Sequence, residues 1–320
     1  MKPRVSVVIP LYNKRLSVER AVRSVLAQTE SDFELIIVND GSTDGSEHVV
    51  AAIGDRRIRL VSQANGGESA ARNTGISIAT ADLVAFLDAD DEWFPHFLET
   101  VLALAIRFPD AGAYAVSFFA CLDGRISRYK YIGVRFVRSG EIVDSYFRSC
   151  TLGSSIVWSS SVMIPRKVFD TVGNFTIGAR NGADLDMWAR IALRFPIAWS
   201  PVETAIWHQS AENRCAGMVV MDDVPFSGVL LDALASGRYD LDQQFWIREY
   251  LNKFRIILAI TCLNQGAVGN ARRLLIRTAR TKLFRGLWLS AVTRAWCPSK
   301  VGLLASRAVW AVARQMGATS

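Results

Sequence analysis

The chain has no aspartate or glutamate after Glu249, only three histidines (His48, His96, His208) and no C-x-x-C pair among its five cysteines. Cys121, Cys150, Cys215, Cys262 and Cys297 are scattered and odd in number. That excludes a disulfide scaffold and a cysteine zinc site, and it reads as reduced thiols in a cytoplasmic protein. No apolar run reaches the roughly 20 residues of a membrane span. The best candidate, residues 256–271, is short and holds Asn264, Gln265 and Asn270. The apolar stretch at 5–9 is too short for a secretory leader and meets Pro10 and Tyr12 with no small-residue cleavage site, so it is read as a strand. Asn65-Gly66-Gly67 lacks the G-x-G-x-x-G of a dinucleotide site, the loop at 40–45 lacks EF-hand spacing, and no Ser-His-Asp or Cys-His arrangement is visible. Charged residues at 21% with no long polar tract argue against disorder.

What is present is an α/β pattern. Half of the 320 residues are apolar, enough for one large or two smaller cores. Apolar runs at 5–9, 33–38, 58–61 and 83–87 alternate with helical segments at 17–27, 46–53, 68–79 and 95–107, with Ser46 placed as a cap and Pro95 in a first turn. This alternation predicts a parallel sheet covered on both faces, with ligands at the carboxyl ends of its strands. From residue 113 the pattern turns mixed: strands are expected at 114–122, 155–164, 197–200 and 205–208, and helices at 166–172 and 184–195. Beyond about Val224 the chain reads as helical and basic.

Two apolar strands end abruptly in carboxylates, one at Asn39-Asp40 and one at Asp88-Ala89-Asp90-Asp91. Such charges are costly to bury without a partner, and a divalent cation carrying a diphosphate fits best. Asp88 and Asp90 stand two apart, so their side chains point the same way and can share a hard cation of the Mg2+ or Mn2+ type. The plain alternative is a solvated turn in which Asp91 caps the next helix. Asp40 can accept a hydrogen bond from a base or a ribose, or simply belong to a turn rich in Gly, Ser and Asp. Arg72, alone among small residues, suits an anion or base contact, or a surface ion pair. Asp184 and Asp186 open a helix, where capping is the ordinary role and general base the functional one. His208 ends a short strand and is either a hydrogen-bonded residue or a ligand. His48 and His96 look structural.

Four ordered segments carry a resemblance: Val-Ser-Val-Val-Ile-Pro-Leu-Tyr-Asn-Lys at 5–14, Val-Asn-Asp-Gly-Ser-Thr-Asp at 38–44, Asn-Gly-Gly-Glu-Ser-Ala-Ala-Arg-Asn-Thr-Gly at 65–75, and Phe-Leu-Asp-Ala-Asp-Asp at 86–91. Over residues 4–210 the chain resembles the family 2 glycosyltransferases, inverting enzymes of the GT-A fold. The resemblance implies a mostly parallel central sheet flanked by helices, with a GT-A domain at 1–222 and a basic helical extension at 223–320. It implies that Pro10 and Tyr12 border the nucleotide base, that Asp40 holds it, and that Arg72 faces the nucleotide. Asp88 would lie near the ribose, and Asp90 would bind the Mn2+ or Mg2+ that bridges the diphosphate of a nucleotide sugar, a UDP-sugar being the first expectation. His208 would approach the metal or phosphates. Asp184 aligns with the catalytic base of the family's acidic acceptor motif, where Ala183 replaces the usual Glu and points to a changed acceptor pocket. The acceptor would be a sugar or a lipid-linked sugar in cell-surface polysaccharide or glycolipid synthesis.

The first 249 residues hold 25 of the 37 Lys and Arg and all 30 Asp and Glu, a net −5, whereas the remainder holds 12 basic residues. An acidic body with a basic tail suggests an anionic surface as the tail's partner. Arg273, Arg277 and Arg280 are expected on one helical face, with Leu275, Ile276, Ala279 and Leu283 on another. Phe284, Trp288, Trp296 and Trp310 interleave with arginines as in interfacial helices, placing the protein peripherally at the inner face of the plasma membrane. Two other classes stay open: a nucleic-acid-binding protein, although no nucleic-acid fold signature is present and none is expected as partner, and a degenerate transferase that binds a nucleotide sugar without turnover.

Overall fold

The computed structural model describes residues 2–179, 181–210 and 221–296. In the first half, β1 (Val5–Leu11), β2 (Phe33–Asn39), β3 (Ile58–Ser62) and β4 (Leu83–Phe86) alternate with α1 (Val18–Leu26), α2 (Ser46–Ala51) and α3 (Glu68–Ile78). After a short β5 (Glu92–Trp93) come α4 (Phe97–Arg107), β6 (Ala113–Leu122), β7 (Arg125–Arg128), β8 (Glu141–Ile142), α5 (Tyr146–Leu152), β9 (Val162–Pro165), α6 (Arg166–Val172), α7 (Ala183–Ala192) and β10 (Ile197–His208). The helical region comprises α8 (Ser227–Ala235), α9 (Leu241–Asn264), α10 (Val268–Arg277) and α11 (Arg285–Trp296).

All ten strands form one sheet, ordered β3-β2-β1-β4-β9-β6-β10-β5, with β7 on β6 and β8 on β10. The first four are parallel, as continuous apolar strands require when both faces are covered. Val8, Ile36 and Val38 face one core; Val7, Ile9, Leu35 and Ile37 face the other, with α1 and α4. The mixed half begins where β9 runs antiparallel between β4 and β6.

Several local expectations are corrected. The strand expected at 155–164 is shorter, because Ser159–Ser161 form a 3-10 turn before β9. The segments at 197–200 and 205–208 are one strand, interrupted by register shifts between Ser200 and Ala205. Ser46 does not cap α2: Gly45 does so at φ 84°, while the Ser46 hydroxyl donates to Asp44 and accepts from the Lys14 N–H. Pro95 lies just outside α4, which starts after His96.

Helix α3 can lie on β1 only because residue 75 has no side chain. A Cβ there would meet Val8 Cγ1 at 2.3 Å. Gly75→Ala gains up to about 1 kcal/mol of helix propensity, but overpacking costs about 1–3 kcal/mol, so net destabilisation is expected by urea unfolding. An unchanged midpoint would mean that the α3–β1 contact can open.

The C-terminal helices share the first core: Leu251, Ile256, Leu258, Leu274 and Phe284 belong to the same buried cluster as Val8 and Phe86. Lys253 on α9 is buried and donates to the carbonyls of Cys150 (2.7 Å) and Gly153 (3.1 Å), at the end of α5. Burial lowers its pKa from 10.5 to about 8. The unfolded chain therefore binds more protons between those values, and stability from this group is complete above the unfolded pKa and lost as pH falls through the folded one. Over that window wild-type stability should gain roughly 3 kcal/mol relative to Lys253→Met. Parallel pH profiles of the two proteins would refute this.

The tail differs from its sequence reading. α10 ends at Arg277, so Arg280 and Leu283 lie beyond it. Arg273 pairs with Asp222 (2.9 Å), and Arg277 and Arg255 pair with Asp223 (3.1 and 2.5 Å). Phe284 is buried, and Trp288 turns inward to donate to the Leu275 carbonyl. Ile276, Leu283, Leu289 and Trp296 are exposed. Trp310 lies outside the described residues. No helix among those residues is long and apolar enough to cross a membrane. Cys121, Cys150 and Cys262 are free thiols; Cys215 and Cys297 lie outside the described residues.

Candidate active site

Strand order reverses beside β1: β2 and β3 lie on one side and β4 on the other. This is the switch point at which open α/β sheets form a crevice. Backbone bonds Asp40 N–H to Leu11 O (2.8 Å) and Leu87 N–H to Val8 O (3.1 Å) carry both acidic loops to the same end of the sheet.

Asp40 is 2% exposed. Oδ1 accepts from Gln63 Nε2 (2.7 Å) and Gly66 N–H (2.9 Å), and Oδ2 accepts from Gly67 N–H (2.8 Å). It therefore ties the loop before α3 to the end of β2. A carboxylate offers about four acceptor positions, so one remains for a ligand. Pro10 is buried in β1, whereas Tyr12 just after it is 45% exposed.

Arg72 is not a surface ion pair. Its side chain is 3% exposed, and Nη2 donates to both Glu68 Oε1 (2.5 Å) and Asp88 Oδ1 (2.7 Å). Its Nε is buried with no partner among the described residues. Burial opposes its charge, but Glu68 and Asp88 outweigh burial and raise its pKa. Asp88 shows the reverse balance: burial pushes it up to about 6 although Arg72 pulls it down.

Asp91 does not cap the next helix. It is buried, accepting from Ser160 Oγ (2.6 Å) and His208 N–H (3.0 Å), and burial raises its pKa. Ser160 Oγ also accepts from Asp88 N–H (3.0 Å). Ser160 thus sets the acidic turn, and nothing in the run Ser159-Ser160-Ser161 marks the middle residue. Asp90 meets Lys14 Nζ at 2.7 Å, and its carbonyl accepts from Arg20 (2.5 Å). Neither cation is marked by the sequence, because Lys14 and Arg20 lie far along the chain from Asp90.

His208 points Nε2 at Glu92 Oε2 (3.2 Å); burial and then Arg20 lower its pKa. The described residues contain no group of three or more His, Cys, Asp or Glu arranged to hold a metal. The donor set suits a cation that takes one or two carboxylates and completes its shell with water and phosphate, as Mg2+ and Mn2+ do, and does not suit a closed protein cage. Asp90 belongs to that set and is paired with the Lys14 ammonium.

Asp184 and Asp186 separate in role. Asp186 is 5% exposed and is spent on Thr176 (2.7 Å) and Arg190 (2.9 Å). Asp184, at the start of α7, is raised in pKa by burial, lowered by Arg72 and by helix N–H groups, and raised again by Asp88. Asp184 therefore lies within the electrostatic field of Arg72 and Asp88.

The sequence profile described as "Glycosyl transferase family 2" matches residues 6–173. An uncharacterized glycosyltransferase of Nostoc sp., alr2836, is 46% identical over 102 residues, 31% of this chain and 32% of that protein. YibD of Escherichia coli, also described as an uncharacterized glycosyltransferase, is 44% identical over 106 residues, 32% of this chain and 31% of its own. The matches thus span about a third of these relatives' length. Among solved structures, Staphylococcus aureus TarS 1–349 with UDP-GlcNAc has TM-score 0.60 at 18% identity, covering 92% of this chain and 80% of that one. The mannosyltransferase PcManGT of Pyrobaculum calidifontis, with GDP-Man and Mn2+, has TM-score 0.50 at 18% identity, covering 100% and 77%. These structural likenesses concern the fold.

Proposed function

Because the chain belongs to glycosyl transferase family 2 and has the GT-A fold, we propose that it moves a sugar from a nucleotide diphosphate to a hydroxyl acceptor, inverting the anomeric carbon. One observation carries this reading. Buried Arg72 bonds Asp88 at the end of β4 (2.7 Å), and its charge also lowers the pKa of Asp184 at the start of α7, against the upward push of burial.

In this reading Tyr12 and Pro10 border the base, and Asp40 accepts its N–H at the remaining acceptor position. The orphan Nε of Arg72 is a donor that an anionic ligand would satisfy. Asp88 faces the ribose. Asp90, with His208 as a second candidate, would hold Mn2+ or Mg2+, and that ion would supply positive charge beside the leaving diphosphate. Asp184 takes the acceptor proton as the acceptor oxygen attacks from the opposite face. A uridine nucleotide is the first donor to try, TarS having been solved with UDP-GlcNAc. The acceptor is read as a sugar or lipid-linked sugar of a cell-surface polysaccharide or glycolipid.

The test is a panel of nucleotide sugars with Mn2+, scored for diphosphate release with acceptor sugars present. We expect release from one donor and its loss in Asp90→Ala. Equal turnover by Asp90→Ala would remove the metal role.

We divide the chain at 222/223 and assign its helical part to peripheral membrane attachment, supported by exposed Leu283 and Leu289 beside Lys282 and Arg285. Truncation after Glu249 would cut α9 and open the core, so point variants test this. Leu283→Glu with Leu289→Glu should lose salt-sensitive binding to anionic vesicles; unchanged pelleting would end the proposal.

A further inference from the structure

Resting on the reading of Asp184 as the general base, we propose that Arg255 of α9 is a positioning residue for that base, acting through Asp223 and Pro225 on the start of α7. Asp184 stands two residues past Gly182, which begins the helix at φ 81° and brings no capping side chain. The Asp186 N–H closes the first turn on the Gly182 carbonyl (2.9 Å). The ring of Pro225 packs on Gly182: a Cβ built there would lie 3.6 Å from Pro225 Cδ and 3.7 Å from its Cγ. The point from which the base departs is therefore backed by the first residues of the helical region.

Charge fixes that segment. Arg255 donates Nε to Asp223 Oδ1 (2.8 Å) and Nη2 to Oδ2 (2.5 Å), and its side chain is 6% exposed. Two parallel bonds between a planar fork and a carboxylate set direction as well as distance. Asp223 Oδ1 also accepts from the Val224 N–H (2.9 Å), and Oδ2 from Arg277 of α10 (3.1 Å). The four acceptor positions of the carboxylate are then used, so Asp223 serves as a joint. One residue earlier, Asp222 accepts from Arg273 (2.9 Å) and Asn270 (3.2 Å) of α10. Val224 and Phe226 are buried in the first core, the Phe226 ring lying 5.5 Å from Tyr250 and 5.4 Å from Phe254 of α9. Pro225 thus sits between the ion pair and the aromatic rings of the same helix.

The residues read as holding the nucleotide are tied elsewhere. Asp40 is bonded to the loop before α3, and Arg72 to Glu68 and Asp88. Loosening residues 222–226 therefore moves the base against a donor that stays in place. A displacement of about 1 Å in a reacting group costs up to roughly 10²-fold in rate. The arginines of α9 and α10 that hold the acidic pair then serve catalysis, from a region outside the parallel sheet.

The test compares two variants of the full chain with wild type. Arg255→Lys keeps the charge but not the paired bonds. Pro225→Ala leaves the ion pair intact and removes the ring from Gly182, so it carries the decision should Arg255→Lys fail to fold. Hydrogen exchange at the Asp186 N–H should quicken in both. Turnover of the nucleotide sugar found active in the panel should fall roughly 10- to 100-fold in kcat for Arg255→Lys and by less for Pro225→Ala. UDP affinity and the KM for that donor should stay at the wild-type values. The rising limb of kcat/KM with pH should shift toward the ordinary carboxylate range, because a loosened turn admits water to Asp184. Wild-type exchange and kcat in both variants would overturn the proposal, as would faster exchange with unchanged kcat, or UDP affinity lost in step with kcat. Full transfer by Asp184→Asn would instead overturn the general-base reading, whatever the exchange rates.

Discussion

Asp184→Asn should lower sugar transfer by about 10²–10⁴-fold, the usual contribution of a positioned general base, with nucleotide-sugar affinity little changed. The substitution keeps size and hydrogen bonding while removing the proton acceptor. It also has a pH signature. Burial raises the Asp184 pKa above the ordinary carboxylate value, so wild-type kcat/KM should rise with pH on a limb above the normal Asp range. That limb should vanish from the residual activity of the variant. Stability moves the opposite way. A carboxyl whose folded pKa is raised favours the fold in acid and loses that advantage as pH rises through the folded value. At neutral pH Asp184→Asn should therefore be no less stable than wild type. Undiminished transfer by the variant would take Asp184 out of the mechanism, while a lost activity with a collapsed fold would point to α7 capping alone.

Arg72→Met should be the most damaging substitution for stability among the site residues. The guanidinium is 3% exposed and bridges two carboxylates through a single nitrogen, with Phe175 5.4 Å from its charge. Removing one partner of a buried pair costs roughly 3–5 kcal/mol. The lower end is expected, because Glu68 is 55% exposed and can return to water. Asp88 cannot: burial already drives it to about 6 with Arg72 present, and without that cation it would take up a proton at a still higher pH. Donor binding should fail with it, since a neutral Asp88 is a poorer acceptor for a ribose hydroxyl. Arg72→Lys should not restore function, because an ammonium on a flexible stem does not reproduce the planar fork. Urea unfolding and UDP titration measure the two effects. An Arg72→Met protein with an unchanged midpoint would show that water, not Arg72, satisfies Asp88.

The parallel half of the sheet was legible because each of its strands is a continuous apolar run, and such runs need both faces covered. Asp88 and Asp90 were legible for a local reason, a carboxylate pair at the end of such a run. Asp40 was legible as an acidic strand end, but its three bonds to Gln63, Gly66 and Gly67 were not. Ser160 and Lys14 escaped notice because their partners lie 69 and 76 positions away. Details of the tail escaped the sequence for a related reason. Its arginines looked unpaired from Glu249 onward, yet Asp222 and Asp223, earlier in the chain, pair with Arg255, Arg273 and Arg277. Phe284 and Trp288 looked amphipathic beside arginines, but Phe284 is buried in the first core and Trp288 packs partly against it.

By itself the sequence determined the strand–helix alternation, the parallel half of the sheet and the acidic strand ends, since periodicity and apolar runs act over a few neighbouring residues. The tertiary structure alone decided which aspartate at the start of α7 is committed to an ion pair, which cation holds Asp90, and which tail side chains face solvent. Those outcomes depend on charges and surfaces brought together from distant segments, where burial sets both the strength of a pairing and the cost of lacking one.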